Sequence, residues 1–72
     1  MNPIESPLSG RVLAVHVAVG DSVAPGTPLM TIESMKMEIP VEAEAAGRVE
    51  QLGTEAGADV SEGDVLLWTA KA

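Results

Sequence analysis

The chain repeats a pattern of glycines and apolar residues at a spacing of 37 positions, without a gap. The matching glycines are the strongest evidence for the repeat, because each marks a place where the backbone must turn. The matching pairs are Gly10 and Gly47, Arg11 and Arg48, Val12 and Val49, Gly20 and Gly57, Val23 and Val60, Gly26 and Gly63, and Leu29 and Leu66. Two copies are too few for a solenoid. The repeat therefore predicts two interlocked halves, 4–33 and 41–70, related by a pseudo-two-fold axis and joined by a turn at 34–37.

Both halves have the pattern of β-strands. Residues 11–19 alternate with the period of a strand, and segments rich in valine favour strands over helices. Pro25-Gly26 fits the central positions of a type II turn, and Glu62-Gly63 takes the equivalent place in the second half. Short strands are expected at 2–5, 10–17, 22–24, 28–33, 37–43, 47–53, 59–61 and 65–70. The sequence thus predicts one all-β domain over residues 1–72, with two small sheets facing each other.

The alternation in the second of these strands also predicts which of its faces is buried. Leu13, Val15 and Val17 form an apolar stripe, continued by Val19, that we expect to point into the core. His16 lies on the opposite face and is expected at the surface. One histidine and no cysteine give no basis for a zinc site.

Charge and composition exclude several classes of partner. Four basic and eleven acidic residues give a net charge of −7, whereas a protein that binds nucleic acid is expected to carry a basic stripe. No apolar run approaches the roughly 18 residues that span a bilayer, and residues 1–10 do not resemble a secretory signal. We therefore expect a cytoplasmic protein with neither nucleic-acid nor membrane partners. The initial methionine and the lack of a linker favour a stand-alone subunit.

The turn between the halves carries a lysine between two methionines, in the sequence Glu33-Ser34-Met35-Lys36-Met37-Glu38. Under the shift of 37, the equivalent of Lys36 falls beyond the chain termini. The two-fold axis therefore predicts this turn at one end of the domain and both termini at the other. A lysine at a protruding tip is suited to covalent attachment, and the flanking methionines offer soft apolar contact. The alternatives are a plain surface lysine, methionines that fill the core, and glutamates that are merely solvated.

With these motifs in place, the chain resembles the biotinyl/lipoyl attachment domain, and within it the biotin carboxyl carrier branch. The resemblance covers about Ile4 to Thr69 and rests on Pro7-Leu8-Ser9-Gly10, Gly20-Asp21-Ser22-Val23 with Gly26, Glu33 to Glu38, and the second-half framework of Gly47, Gly57, Val60 and Gly63. It departs from the family pattern where Ser34 replaces alanine and Glu44 replaces proline. The ungapped repeat also leaves no room for the protruding thumb of some bacterial carriers.

The resemblance implies a flattened β-barrel, or barrel-sandwich hybrid, of two four-stranded antiparallel sheets with the modified lysine on a hairpin tip. It implies that a biotin protein ligase attaches biotin to Lys36. The surrounding recognition residues would be Glu33, Ser34, Met35, Met37 and Glu38. The biotin arm would then carry carboxylate from a biotin carboxylase to a carboxyltransferase that acts on an acyl-CoA, with acetyl-CoA as the first candidate. The chain itself would be a non-catalytic carrier.

Two other functions fit the same fold. One is a lipoyl carrier of a 2-oxo acid dehydrogenase or glycine cleavage system, although lipoyl domains typically resemble Asp-Lys-Ala at the tip, unlike Met35 and Met37 here. The other is a structural module like the lipoyl-type barrel of efflux adaptors, in which a helical insertion interrupts this turn. The short turn with its lysine argues against the second alternative. The intact mass after expression separates all three functions.

Overall fold

The computed structural model describes residues 1–71, which form eight β-strands. The strands are β1 (Asn2–Glu5), β2 (Gly10–Val15), β3 (Ser22–Val23), β4 (Pro28–Ser34), β5 (Met37–Glu42), β6 (Gly47–Leu52), β7 (Asp59–Val60) and β8 (Val65–Ala70). Each lies where the sequence predicts a strand, and the largest difference is at β2, which ends two residues before the predicted position 17. Within residues 1–71, no helix is long and apolar enough to cross a membrane.

The strands form two four-stranded antiparallel sheets, which confirms the predicted fold class. One sheet has the order β1-β8-β6-β3 and the other β5-β4-β2-β7. Each sheet takes two strands from either half of the chain, so the halves interlock. A shift of 37 residues converts the first order into the second, strand by strand. The pseudo-two-fold symmetry predicted from the glycines is therefore a property of the whole strand topology.

Four irregularities in the strand pairing follow the same symmetry. In β2, Val12 pairs with Ile32 and Ala14 with Thr31, which leaves Leu13 as an extra residue. The equivalent shift lies between Val49 and Gln51 in β6. A second symmetric pair of shifts leaves Leu29 in β4 and Leu66 in β8 as the extra residues. An extra residue interrupts the alternation of side chains between the two faces of a strand.

The bulge at Leu13 makes the predicted apolar stripe wrong in part. Val12, which the alternation assigns to the surface, has 0 % exposure, whereas Leu13 is 39 % exposed and Val19 is 60 % exposed. Val15 and Val17 are half-buried and pack against the core. His16 is exposed, as predicted, and its Nε2 lies 2.8 Å from Oγ1 of Thr31.

The core between the sheets is aliphatic and inherits the two-fold symmetry. Its fully buried side chains are Leu29, Met30, Ile32, Leu66, Leu67, Val12 and Val49. Leu29 and Met30 are neighbours in sequence and both have 0 % exposure, because the bulge turns both of them inward. Each such side chain contributes about 1.5–3 kcal/mol when it is removed from water. Trp68 is only half-buried, so this core is built without aromatic rings.

Glycines form the corners of the framework, as the sequence predicts. Gly26 has φ 89° and Gly63 has φ 91°, in the left-handed region that glycine adopts without penalty. The turn at Gly26 is closed by the Thr27 amide, which donates to the Ala24 carbonyl at 3.0 Å. The turn at Gly63 has the equivalent bond from Asp64 to Ser61, at 2.9 Å.

Candidate functional site

The β4–β5 hairpin joins the two halves and ends in a two-residue turn. Ser34 pairs with Met37 across the hairpin, so that Met35 and Lys36 are the two residues of the loop. Met35 has φ 52° and Lys36 has φ 65°. A two-residue hairpin loop with positive φ at both positions is a type I′ turn, whose twist matches that of the flanking strands. Lys36 therefore stands at the apex of the tightest connection that a hairpin uses.

This turn is strained, because residues with a Cβ rarely adopt positive φ. The left-handed conformation costs such a residue roughly 1–2 kcal/mol, and type I′ turns usually carry Asn-Gly instead. Met35 and Lys36 are, within residues 1–71, the residues other than glycine with positive φ. Strain of this kind persists where the surrounding structure imposes it, and it is concentrated at functional sites. The backbone thus singles out the lysine that the sequence motif indicates.

The sheet holds the base of the hairpin firmly. The last pair that β4 makes with β2 is Glu33 with Arg11, and beyond it the chain pairs only across the hairpin. Gly10 lies so close to this base that an added Cβ would collide with the Glu33 carbonyl oxygen and come within 2.9 Å of Ile32 Cγ2. The turn therefore extends only a few residues beyond the tightly packed part of the sheet.

The predicted recognition residues all lie on this hairpin, and most of their side chains face solvent. Met35 is 91 % exposed and Met37 is 61 % exposed, although methionine is usually buried. Lys36, Glu33 and Glu38 are also exposed, and Ser34 is half-buried. The structure thus brings all six predicted site residues together at one tip. The apolar side chains there have no core to fill.

The charges at the tip are not neutralised within the domain. Glu33 and Glu38 lie directly opposite each other across the hairpin, an arrangement of like charges that destabilises a strand pair. Among residues 1–71, the ion pairs join Arg11 to Asp59 at 3.4 Å and Arg48 to Glu50 at 2.9 Å. Lys36 belongs to neither pair. Its amine and the two carboxylates are therefore available to a partner.

The chemistry that this arrangement supports is covalent modification of an exposed amine. The described residues include no cluster of three or more histidine, aspartate or glutamate side chains that could hold a metal ion. A groove of about 400 Å³ lies between the edge strands β1 and β5, and no residue from 33 to 38 lines it. Lys36 therefore stands in the open, where a separate enzyme can enclose it, and not in a pocket of its own.

Two features of the tip were not predicted from the sequence. The positive φ of Met35 and Lys36 leaves no signal in the residue types, because neither is the glycine or asparagine that such a turn favours. The close approach at Gly10 does leave a signal in the 37-residue repeat. Its equivalent, Gly47, also lies close to the backbone of a neighbouring strand, with an added Cβ 2.8 Å from the Ala70 carbonyl oxygen.

A family model described as "Biotin-requiring enzyme" matches residues 1–68. The chain belongs to this biotin/lipoyl attachment family. The match confirms the resemblance drawn from the sequence motifs, and it confirms biotin as the covalently attached cofactor. The six site residues all fall inside the matched range, but the family match by itself assigns no role to any of them.

Three relatives contain a sequence similar to this chain. The biotin/lipoyl attachment protein of Bacillus subtilis is 43 % identical over 60 residues, which cover 83 % of this chain and 82 % of the relative. The biotin carboxyl carrier protein of Streptococcus mutans is 41 % identical over 69 residues, covering 96 % of this chain and 53 % of the relative. The human mitochondrial propionyl-CoA carboxylase alpha chain is 42 % identical over 64 residues, only 9 % of its length.

Solved structures support the same fold. A single-chain, multi-domain long-chain acyl-CoA carboxylase matches 99 % of this chain with a TM-score of 0.93 and 28 % identity, over 7 % of its own length. The lipoyl domain of the 2-oxoglutarate dehydrogenase complex from Azotobacter vinelandii matches the full chain with a TM-score of 0.84 and 24 % identity. The second similarity concerns the fold alone. Domains that carry either cofactor therefore share this architecture.

Proposed function

We propose that this chain is a biotin carboxyl carrier and that biotin is attached through an amide bond to Nζ of Lys36. One observation carries the assignment to this residue. Lys36 occupies the apex of a strained two-residue turn, with its side chain exposed and outside both ion pairs of the described residues. Lys71, the other lysine, is exposed after the end of β8 and lies on no turn of this kind. The tip therefore presents one amine from a defined position on the backbone.

Attachment requires help from a second protein. A lysine amine is almost entirely protonated near neutral pH, and only the neutral amine is a nucleophile. A biotin protein ligase must therefore enclose the tip, remove the proton and supply the activated acyl group. Nζ then forms the amide bond as the leaving group departs, and the rigid hairpin supplies the orientation.

The proposed partners in turnover are a biotin carboxylase and a carboxyltransferase. Biotin supplies a ring nitrogen that accepts and releases a carboxylate, which is chemistry no side chain of this domain provides. The domain contributes mobility between two active sites and a high local concentration. Met35 and Met37 offer adaptable apolar contacts that suit several partners in succession. The domain itself is a non-catalytic carrier in this proposal.

The proposal also covers the molecule that accepts the carboxylate and the cellular location of the protein. An acyl-CoA acceptor is supported by the names of two relatives, a propionyl-CoA carboxylase and a long-chain acyl-CoA carboxylase. Acetyl-CoA is the acceptor to test first, with propionyl-CoA beside it. The acidic charge of −7 and the absence of cysteine fit the cytoplasmic location predicted from the sequence.

The decisive experiment compares two lysine variants. The chain is expressed with a biotin protein ligase, and its intact mass and its binding to streptavidin are measured. We expect Lys36→Arg to abolish both signals, because arginine keeps the charge but offers no acylable amine. The matched control, Lys71→Arg, should be biotinylated like the parent. Biotin retained on Lys36→Arg would overturn the assignment.

A second assay tests the carrier role itself. The biotinylated protein is incubated with a biotin carboxylase, ATP and labelled bicarbonate, with free biotin at the same concentration as the control. Because the tip positions biotin for the enzyme, we expect the carrier to take up label faster than free biotin does. A carboxyltransferase should then transfer the label to an acyl-CoA. Equal labelling of the carrier and of free biotin would contradict a carboxyl-carrier role.

A lipoyl carrier is the second candidate function, and two observations favour keeping it. The Bacillus subtilis relative is named for both cofactors, and a lipoyl domain shares the fold over its whole length. The same tip would then carry the lipoyl group on Lys36. Parallel incubation with a biotin ligase and a lipoyl ligase, followed by intact mass measurement, separates the two. Addition of lipoate alone would replace the first proposal with the second.

A further inference from the structure

The four methionines of the chain differ sharply in their exposure. Met30 has 0 % exposure and pairs with Val15 and Val41 inside the second sheet. Met35 and Met37, on either side of Lys36, are 91 % and 61 % exposed. Met1 is 73 % exposed, at the chain terminus. The hairpin tip therefore concentrates two accessible thioethers around the residue to be modified.

Exposed thioethers react with hydrogen peroxide. The sulfur lone pair attacks one peroxide oxygen and forms an S–O bond while the O–O bond breaks, and the departing hydroxide takes the proton of the sulfur-bound hydroxyl to become water. The sulfur is oxidised by two electrons to a sulfoxide, and the peroxide is reduced by the same two electrons. The product replaces a soft apolar side chain with a polar, chiral one, and methionine sulfoxide reductases reverse the change. Access to the sulfur therefore decides which methionines react first.

We propose that Met35 and Met37 form a reversible oxidation switch, in which hydrogen peroxide converts their thioethers to sulfoxides and thereby weakens recognition of the tip. The effect on recognition rests on the proposed carrier function. The expected effect follows from the exposure of these side chains, which within the domain face mainly solvent. Their apolar surface can stabilise only a complex with a partner, and that contribution is lost when the sulfur becomes polar.

Oxidation at the tip leaves the fold in place. Met37 pairs only with Ser34 at the end of the hairpin, and Met35 lies in the turn itself. Neither belongs to the buried cluster that holds the sheets together. Oxidation of Met30 would act in the opposite way, because a sulfoxide in the core must disrupt packing. The switch is therefore confined to recognition, and this separates it from general oxidative damage.

The first experiment measures where oxidation occurs. The folded protein is treated with dilute hydrogen peroxide, and peptide mass spectrometry follows each methionine over time. We expect Met35 and Met37 to be oxidised rapidly, and Met30 only when urea unfolds the chain. Equal rates at Met30 and at the tip in the folded protein would overturn the proposal. This arm is independent of any ligase and therefore of the proposed function.

The second experiment measures the consequence for recognition. The rate of biotinylation by a biotin protein ligase is compared before and after peroxide treatment, with peroxide removed beforehand. We expect the rate to fall by about tenfold, a change typical of the loss of one or two small apolar contacts. A methionine sulfoxide reductase should restore it. If the untreated protein is biotinylated and the oxidised protein reacts at the same rate, this inference fails while the carrier function stands. If the untreated protein is not biotinylated by any ligase, the carrier function fails first.

Two variants locate the effect. The double variant Met35→Leu with Met37→Leu keeps apolar side chains at the tip but removes both sulfurs, so its treated and untreated rates should be equal. The matched control, Met30→Leu, replaces a buried methionine by a residue of similar volume, a change that cores tolerate well. It should remain as sensitive to peroxide as the parent. Peroxide sensitivity that survives in the double variant would place the switch elsewhere in the chain and contradict the proposal.

Discussion

The turns at Gly26 and Gly63 and the tip of the hairpin all require a left-handed backbone, but they place different residue types in it. At Gly26 and Gly63 the backbone takes positive φ on glycine, and an added Cβ would meet nothing within 4 Å. At the tip, the backbone takes positive φ on Met35 and Lys36 instead. The corners serve only to turn the chain, so they need no side chain. In the proposed function the tip needs its side chains, and it retains them at a cost in backbone strain.

This difference indicates where stability and function lie in the molecule. The core is built from symmetric pairs such as Val12 with Val49 and Leu29 with Leu66, so each half supplies about the same support. The tip has no counterpart, because its equivalent under the 37-residue shift falls beyond the chain. The rigid framework can therefore hold a strained turn that would not form on its own.

The largest expected effect tests whether stability comes from the framework. Leu66→Ala removes a fully buried side chain beside a bulge and should lower the free energy of unfolding by about 2–5 kcal/mol. Lys36→Arg, which changes only an exposed side chain, should stay within about 0.5 kcal/mol of the parent. Urea unfolding of both variants measures the contrast. Similar losses in the two variants would mean that the tip helps to support the fold.

An intermediate effect tests the role of the corner glycines. Gly26→Ala places a Cβ in open space but at φ 89°, so its cost should come from the backbone alone, at about 1–2 kcal/mol. Gly63→Ala should cost about the same amount, because the two turns are symmetric. The control Glu62→Ala, one residue earlier in the second turn, should change stability by less than about 0.5 kcal/mol. Thermal or urea unfolding that shows no loss at Gly26 would refute the strain argument.

The smallest expected effect tests the strain at the tip. Replacing Met35 by Asn together with Lys36 by Gly installs the preferred type I′ sequence, and we expect stability to rise by about 1 kcal/mol. The same double variant should lose all biotinylation at this site, because no amine is left there. Urea unfolding and intact mass give the two readouts. A loss of stability would show that the parent turn is not strained.

Much of the molecule was predictable from the residues alone. The matching of Gly10 with Gly47 and Gly26 with Gly63 predicted the symmetric topology, and every strand lies within two residues of its expected position. The motif around Lys36 predicted a hairpin tip, since a lysine between two methionines at the joint of the repeat has no place in a core. The division into repeats 4–33 and 41–70 within one domain, and the placement of tip and termini at opposite ends, stay predictions.

The burial of individual side chains was harder to predict. Alternation over residues 11–19 assigned Leu13 and Val19 to the core and Val12 to the surface, and the structure reverses all three. Val19 lies beyond the end of β2, in a turn with Gly20. At Val12 and Leu13 the cause is one extra residue in β2, at a bulge in its pairing with β4. Such a bulge depends on how two distant segments align, so no pattern within a single strand reveals it.

The sequence by itself determined the number of strands, the pseudo-two-fold relation between the two halves and the turns at the glycines, because these follow from local periodicity and from a repeat that can be read along the chain. Only the tertiary structure decided which side chains beside the bulge in β2 are buried and that Met35 and Lys36 adopt the left-handed conformation. Both features arise where strands from separate parts of the chain meet. The pairing register of the strands imposes both features. The side chains and the backbone preferences of these residues would not produce them in isolation.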